Sequence, residues 1–186
     1  MISATLDHAV LKQRLNVAPF DYAVRLAVTL DADGLLMEMT LRHEGAAPTP
    51  YGMGWHPWFI RRAATRLRLN ATQRANHSVR GLPESLTACA GIAADEAALI
   101  GLDNFFAGWD GVARLAAPAG TITLTATGDF AAGLQVYAPA AQPIICVEPV
   151  SHMPDAPNRP VLAAAALMRV LAQGQSLHGT IRLAAA

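Results

Sequence analysis

Glu148 closes the run Ile144-Ile145-Cys146-Val147-Glu148-Pro149. Ile144 and Cys146 alternate with Ile145 and Val147, the pattern of a strand covered on both faces, and Glu148 falls on the side of Ile144 and Cys146. A carboxylate in that setting loses hydration. Its proton affinity rises unless a charge or donor compensates, which is how a base is tuned toward neutral pH. Pro149 cannot donate a ladder hydrogen bond, so the strand is expected to end there, leaving Glu148 at the rim beside a loop rich in Pro, Asp and Asn. The residues alone also allow a carboxylate that only caps this loop, since perturbed carboxylates are often structural.

His56 lies in Pro50-Tyr51-Gly52-Met53-Gly54-Trp55-His56-Pro57-Trp58-Phe59. In an extended chain Gly52, Gly54 and His56 share one face, opposite Tyr51, Met53 and Trp55. Such a bare strip of backbone lets a flat ring lie close, with the imidazole at its end, and an unperturbed pKa near neutrality suits His to proton delivery. The competing account is a bulge at the glycines and a hydrogen-bonded core histidine. Asp103, in Leu102-Asp103-Asn104-Phe105-Phe106, is expected in a turn-rich loop. There it either accepts hydrogen bonds from sugar hydroxyls beside an aromatic ring or makes an Asx turn.

Three segments, Glu148-Pro149-Val150-Ser151 with Asp155-Ala156-Pro157-Asn158, His56-Pro57-Trp58-Phe59, and Asp103-Asn104-Phe105-Phe106, stand in the order found in one family. They resemble the site segments of the aldose 1-epimerase (galactose mutarotase) family. The resemblance implies Glu148 as catalytic base, His56 as acid, Asp103 as a contact to sugar hydroxyls, and Trp58 at an aromatic position lining the sugar site. Trp58 keeps a stacking face but offers an indole N–H where the family has a phenol hydroxyl. The implied reaction interconverts α and β anomers of a hexose by acid–base ring opening, without a metal or redox cofactor. The acid and base are expected a ring's width apart, on opposite sides of one sugar.

The resemblance runs from about Phe20 to the C-terminus and implies a galactose-mutarotase-like β-sandwich that is N-terminally shortened. Full-length relatives begin earlier and contribute an Arg and another His close to the sugar; residues 1–22 offer no counterpart, and His8 lacks the flanking residues. Losing positioned donors commonly costs orders of magnitude in rate. The alternatives to a working epimerase are therefore a non-catalytic carbohydrate-binding sandwich and a fragment of a split epimerase. Missing strands would also leave sheet edges to be covered by residues 1–22, by a second copy in a homodimer, or by another chain.

The elements that must carry these residues read as strands, which predicts an all-β sandwich with residues 1–186 as one domain and 1–22 as an extended lead-in. Val24, Leu26, Val28 and Leu30 alternate with smaller or polar residues, Asp31-Ala32-Asp33-Gly34 turns the chain, and Leu35 to Arg42 completes a hairpin. Arg66 to Ala71, Ala113 to Leu115, Thr121 to Thr127 and Leu134 to Ala138 are further strands. Asn76 to Ser78 begins a less regular region, Gly81 to Leu86 reads as loop, and Ala88 to Leu102 leaves helix and irregular loop both open. Ala163 to Leu167 has helix-forming composition, and Arg169 to Leu171 with Ser176 to Leu183 reads as a closing hairpin. Asp110 reads as a turn residue, and His77, His152 and His178 as surface residues.

Composition excludes several classes. Fourteen basic and fourteen acidic residues balance, and the basic ones form no stripe, so there is no electrostatic footprint for nucleic acid. The first residues carry no signal-like charge and apolar core, and no apolar run is long enough to cross a bilayer, which predicts a cytoplasmic protein without a membrane partner. Cys89 and Cys146 are far apart without metal-ligand spacing, so neither a disulfide framework nor a zinc site is read, and Cys146 is taken as a small core residue.

Overall fold

In the computed structural model, which describes residues 2–7 and 21–185, the chain forms two antiparallel sheets with apolar faces turned toward each other. One has eight strands in the order β1 (Ile2–Asp7), β2 (Tyr22–Asp31), β3 (Gly34–His43), β16 (Ser176–Ala185), β12 (Gly120–Gly128), β11 (Val112–Ala117), β6 (Arg66–Leu69) and β9 (Ile92–Asp95). The other has six: β5 (Trp58–Ile60), β14 (Ile144–Val150), β13 (Gly133–Ala138), β10 (Leu102–Ala107), β7 (Gln73–His77) and β8 (Pro83–Ala88). A two-stranded ribbon joins β4 (Thr49–Tyr51) to β15 (Arg169–Leu171). Leu67, Leu124 and Ile181 from the first sheet meet Phe106, Leu134, Val136, Ile145 and Val147 from the second in one buried cluster.

The all-β sandwich and the β2–β3 hairpin agree with the sequence. Gly34 is needed at that turn: its φ is 121°, and a Cβ would come within 2.0 Å of the Leu183 carbonyl oxygen. Ile2–Asp7 pairs along β2, so this part of the lead-in extends the larger sheet, while residues 8–20 lie outside the described residues.

Several local expectations are corrected. Residues 73–88 form the β7–β8 hairpin rather than loop, because ladder pairing holds a segment whose side chains are too polar to alternate. Residues 92–99 split into β9 and one helical turn, Glu96–Leu99, capped by the Asp95 carboxylate. The Ala163 region is a 3-10 turn. Arg169–Leu171 and Ser176–Ala185 do not pair with each other: β15 joins β4, and β16 lies between β3 and β12.

At the edge of the six-stranded sheet β5 pairs, among the described residues, only with β14, and Trp58 and Ile60 are each 62% exposed there. Arg61, 5% exposed, fastens this edge. It donates to the carbonyls of Ile144 at 3.2 Å and of Pro139 and Gln142 at 2.9 Å each, and pairs with Glu96 at 3.1 Å.

Candidate functional site

The site face of the six-stranded sheet follows from register. Ile145 and Val147 of β14 point into the core, so Cys146 and Glu148 point out of it. Cys146 lies opposite Trp58 on one side and Tyr137 on the other, and Tyr137 lies opposite Asp103. The next row is Glu148, Gln135 and Phe105. Trp58, Cys146, Glu148, Gln135, Tyr137 and Asp103 thus share one face although they come from four strands. Farther along this face, the 151–168 segment lays Met153, Ala156 and Ala166 over Phe105, Ala75 and Ala107, leaving the Glu148 end uncovered by that cluster.

Asp103 is therefore a strand residue, the second of β10, and not part of a loop; Asp110 takes the turn, accepting from the Val112 amide at 3.0 Å. Nor does β14 end at Pro149. It runs to Val150, because the Pro149 carbonyl accepts from the Trp55 amide at 3.0 Å. The nitrogen and carbonyl of one strand residue point the same way, so the missing N–H faces residues 53–55 rather than β13 and costs no β13–β14 bond. Glu148 consequently sits inside the sheet.

His56 comes from the connection between β4 and β5, which is not one continuous strand. Gly54 bridges Val150, and the Met53 amide and carbonyl bond to Ser151 Oγ and the Ser151 amide at 2.8 and 2.9 Å. These contacts bring the imidazole over Glu148. His56 Nε2 lies 3.2 Å from Glu148 Oε1, with the imidazole 53% and the carboxylate side chain 11% exposed. The expected ring-wide gap is absent: acid and base touch. Trp58 flanks them, its ring 5.7 Å from the imidazole and inclined by 31°.

Burial pushes the Glu148 carboxyl up to about 7, and the Asp103 charge on the same face adds to the rise. Gln135 Nε2 donates to Asp103 Oδ1 at 2.6 Å, while Gln135 Oε1 is buried without a partner among the described residues. His77, half-buried rather than at the surface, also has both ring nitrogens enclosed and without partners among the described residues. His152 is half-buried too, with Nδ1 3.2 Å from Ser151 Oγ, and burial lowers its pKa; His178 is exposed as expected.

All four residues singled out from sequence, His56, Trp58, Asp103 and Glu148, reach this face. Gln135 and Tyr137 were missed, yet the apolar alternation of Leu134, Val136 and Ala138 already set them on the opposite side of β13. Cys146 is fully buried as expected of a core residue, but it lies with His56 and Glu148: the donor atoms of all three are within 4.8 Å of one another. Linear spacing gave no hint of that cluster, since His56 arrives from a distant loop. No helix among the described residues is long and apolar enough to cross a membrane.

The family model for aldose 1-epimerase matches residues 4–184. An uncharacterized Escherichia coli K12 protein, YphB, is 31% identical over 160 residues, which cover 76% of this chain and 53% of that protein. A solved Escherichia coli K12 structure described as a candidate aldose 1-epimerase superposes with a TM-score of 0.82 at 25% identity, over 99% of this chain and 64% of that one. Galactose mutarotase-like proteins of Clostridium acetobutylicum and Lactobacillus casei superpose with TM-scores of 0.76 and 0.73 at 13% and 19% identity. Each covers 99% of this chain, which spans 62% and 68% of theirs, and these two show likeness of fold.

Proposed function

The chain belongs to the aldose 1-epimerase family, and from that premise we propose that it interconverts the α and β anomers of a hexose. The observation that carries this reading is the 3.2 Å contact between His56 Nε2 and Glu148 Oε1 on the face that also presents Asp103 and Trp58. Glu148, as carboxylate, takes the proton of the anomeric hydroxyl while protonated His56 gives one to the ring oxygen. The bond from the anomeric carbon to the ring oxygen breaks, leaving an open-chain aldehyde. Rotation about the adjacent carbon–carbon bond and reclosure, with the two proton transfers reversed, give the other anomer.

Adjacent acid and base suit this chemistry better than separated ones. The anomeric hydroxyl oxygen and the ring oxygen are bonded to the same carbon, so the groups serving them must stand on one edge of the sugar. The 3.2 Å contact lets one proton pass between a half-exposed imidazole and a buried carboxylate whose proton affinity burial raises toward neutrality. Asp103, held by Gln135, would accept from sugar hydroxyls, and Trp58 would cover an apolar ring face.

The second reading is a carbohydrate-binding sandwich without turnover. What favours it is the make-up of the face: Asp103 held by Gln135, with Trp58 beside it, offers hydroxyl-binding and stacking groups that need no proton transfer. The chain spans 53% of the curated relative and 64% of the solved Escherichia coli structure. Polarimetry of freshly dissolved α-glucose and α-galactose separates the two, with wild type, Glu148→Gln and His56→Asn compared. Relaxation faster than buffer only in wild type supports the epimerase. Rates equal to buffer in all three, with saturable hexose binding by calorimetry, support the binding module.

A further inference from the structure

We propose that His56, Cys146 and Glu148 form a binding site for a thiophilic divalent cation of the zinc type, which competes with the sugar for the acid–base pair. One imidazole nitrogen, one sulfur and one carboxylate oxygen converge within 4.8 Å of one another. Zinc bonds such donors at about 2.0–2.3 Å, which in a tetrahedron sets them about 3.4–3.6 Å apart. The His56–Glu148 pair, at 3.2 Å, already has nearly that spacing. The sulfur lies no farther than 4.8 Å from either partner, so at most about 1 Å has to close, a change within reach of rotating the half-exposed His56 and the Glu148 carboxylate.

Charge and access agree with the geometry. A thiolate, a carboxylate and a neutral imidazole balance a dication, so a carboxylate now buried against the Asp103 charge would gain a counter-ion. On binding, the Cys146 S–H proton and any proton held between His56 and Glu148 pass to solvent. The cation enters from the half-exposed His56 side. Sulfur with imidazole selects zinc-like ions over magnesium and calcium, which take oxygen ligands. Once bound, the ion occupies the Nε2 lone pair and the carboxylate oxygen that proton transfer requires. Zinc therefore switches the site off, and Cys146, which touches no sugar in this scheme, is the residue that makes the switch possible.

The direct test is cobalt(II) binding to the full chain, reduced and freed of metal beforehand. The expected result is one equivalent bound with a near-ultraviolet thiolate-to-cobalt charge-transfer band, bleached by added zinc. Cys146→Ala loses that band, and its affinity falls by more than the roughly 10–100-fold that loss of an outer-shell partner costs. His56→Asn, altered at an exposed side chain and therefore safe for folding, also loses tight binding. Absence of binding, or the same band and affinity in either variant, overturns the site. This readout needs no sugar chemistry, so it stands or falls separately from the epimerase reading. Where anomer exchange is measurable, zinc brings it to the buffer rate, a chelator restores it, and the activity of Cys146→Ala no longer responds to zinc; inhibition that persists in Cys146→Ala overturns the competition.

Discussion

The His56 imidazole rests on the Glu148 carboxylate at 3.2 Å, one side chain half in solvent and the other buried in the sheet. The contact joins two strand-adjacent segments through the Gly54–Val150 bridge, which fixes where the loop before β5 crosses β14. Gly54 permits that crossing: a Cβ there would meet the Val150 side chain at 3.0 Å. The imidazole is thus placed by backbone pairing, with its ring against the Glu148 carboxylate and half in solvent.

Removing either member of this pair should abolish proton transfer while leaving the fold intact. Glu148→Gln and His56→Asn are each expected to lower catalysed anomer exchange by about 10²–10⁴-fold, the usual range for a general acid or base. The double variant should be no slower than the worse single one, because the two act as a unit. Polarimetric rates for the three variants check this, with circular dichroism confirming unchanged strand content.

The pH dependence follows from the carboxylate. With Glu148 at about 7, the fraction able to act as base rises as pH increases through that value, so the ascending limb of a bell-shaped rate profile, measured in chelator, should have its midpoint near 7. Asp103→Asn removes the second cause of the rise and should move that midpoint lower, leaving the part due to burial. Carbon-13 titration of the Glu148 carboxyl reads the same shift without substrate. A midpoint that stays in place in Asp103→Asn would show that the two carboxylates do not interact.

Stability carries the opposite sign from that of a salt-bridged carboxylate. The Glu148 pKa is raised from 4.5 to about 7 in the folded protein, so between these values the native state holds a proton that the unfolded chain has released. Stability then falls as pH rises across that window and is level above it. Glu148→Gln, which never ionises, should lack this decline, and its melting temperature relative to wild type should rise from pH 4 to pH 8. Scanning calorimetry across that range checks the slope.

Much of this face was legible in the sequence, and the reasons for the gaps are physical. The alternation in Ile144 to Glu148 placed the base on the side of Cys146, and the structure keeps it there. Pro149 misled, because the effect of a missing N–H depends on which neighbour it faces, and that is a property of pairing. Asp103 was misplaced into a loop because Gly101 and Gly108 bracket a strand of only six residues, β10. The meeting of His56 with Cys146 and Glu148, and the holding of Asp103 by Gln135, depend on register between strands far apart in the chain. No local pattern encodes such contacts.

Trp58 is expected to report on sugar. It stands beside the imidazole with most of its ring in solvent, whereas Trp109 is buried with its indole N–H donated to the Val112 carbonyl at 3.0 Å. Hexose addition should change the fluorescence of wild type and leave that of Trp58→Ala flat. Loss of the stacking face should raise the sugar half-saturation constant roughly tenfold, equivalent to about 1.4 kcal/mol of binding. An undiminished fluorescence response in Trp58→Ala would place the sugar elsewhere.

Arg61 is the residue whose loss should loosen the site without touching it. Its guanidinium serves three carbonyls and Glu96 from a position 5% exposed, and its backbone amide donates to the Pro143 carbonyl at 2.8 Å. Together these bonds tie β5, and therefore Trp58, to the β13–β14 turn. Arg61→Ala leaves those part-buried acceptors unmatched and should cost about 1–3 kcal/mol in urea unfolding. Arg61→Lys should recover only a small part, since one ammonium cannot reach acceptors arranged for a planar fork. At denaturant concentrations where Arg61→Ala is still folded, its Trp58 fluorescence should shift to longer wavelength as the β5 edge opens. A variant that unfolds earlier but keeps the native emission until it does would show that Arg61 braces the turn alone and leaves Trp58 in place.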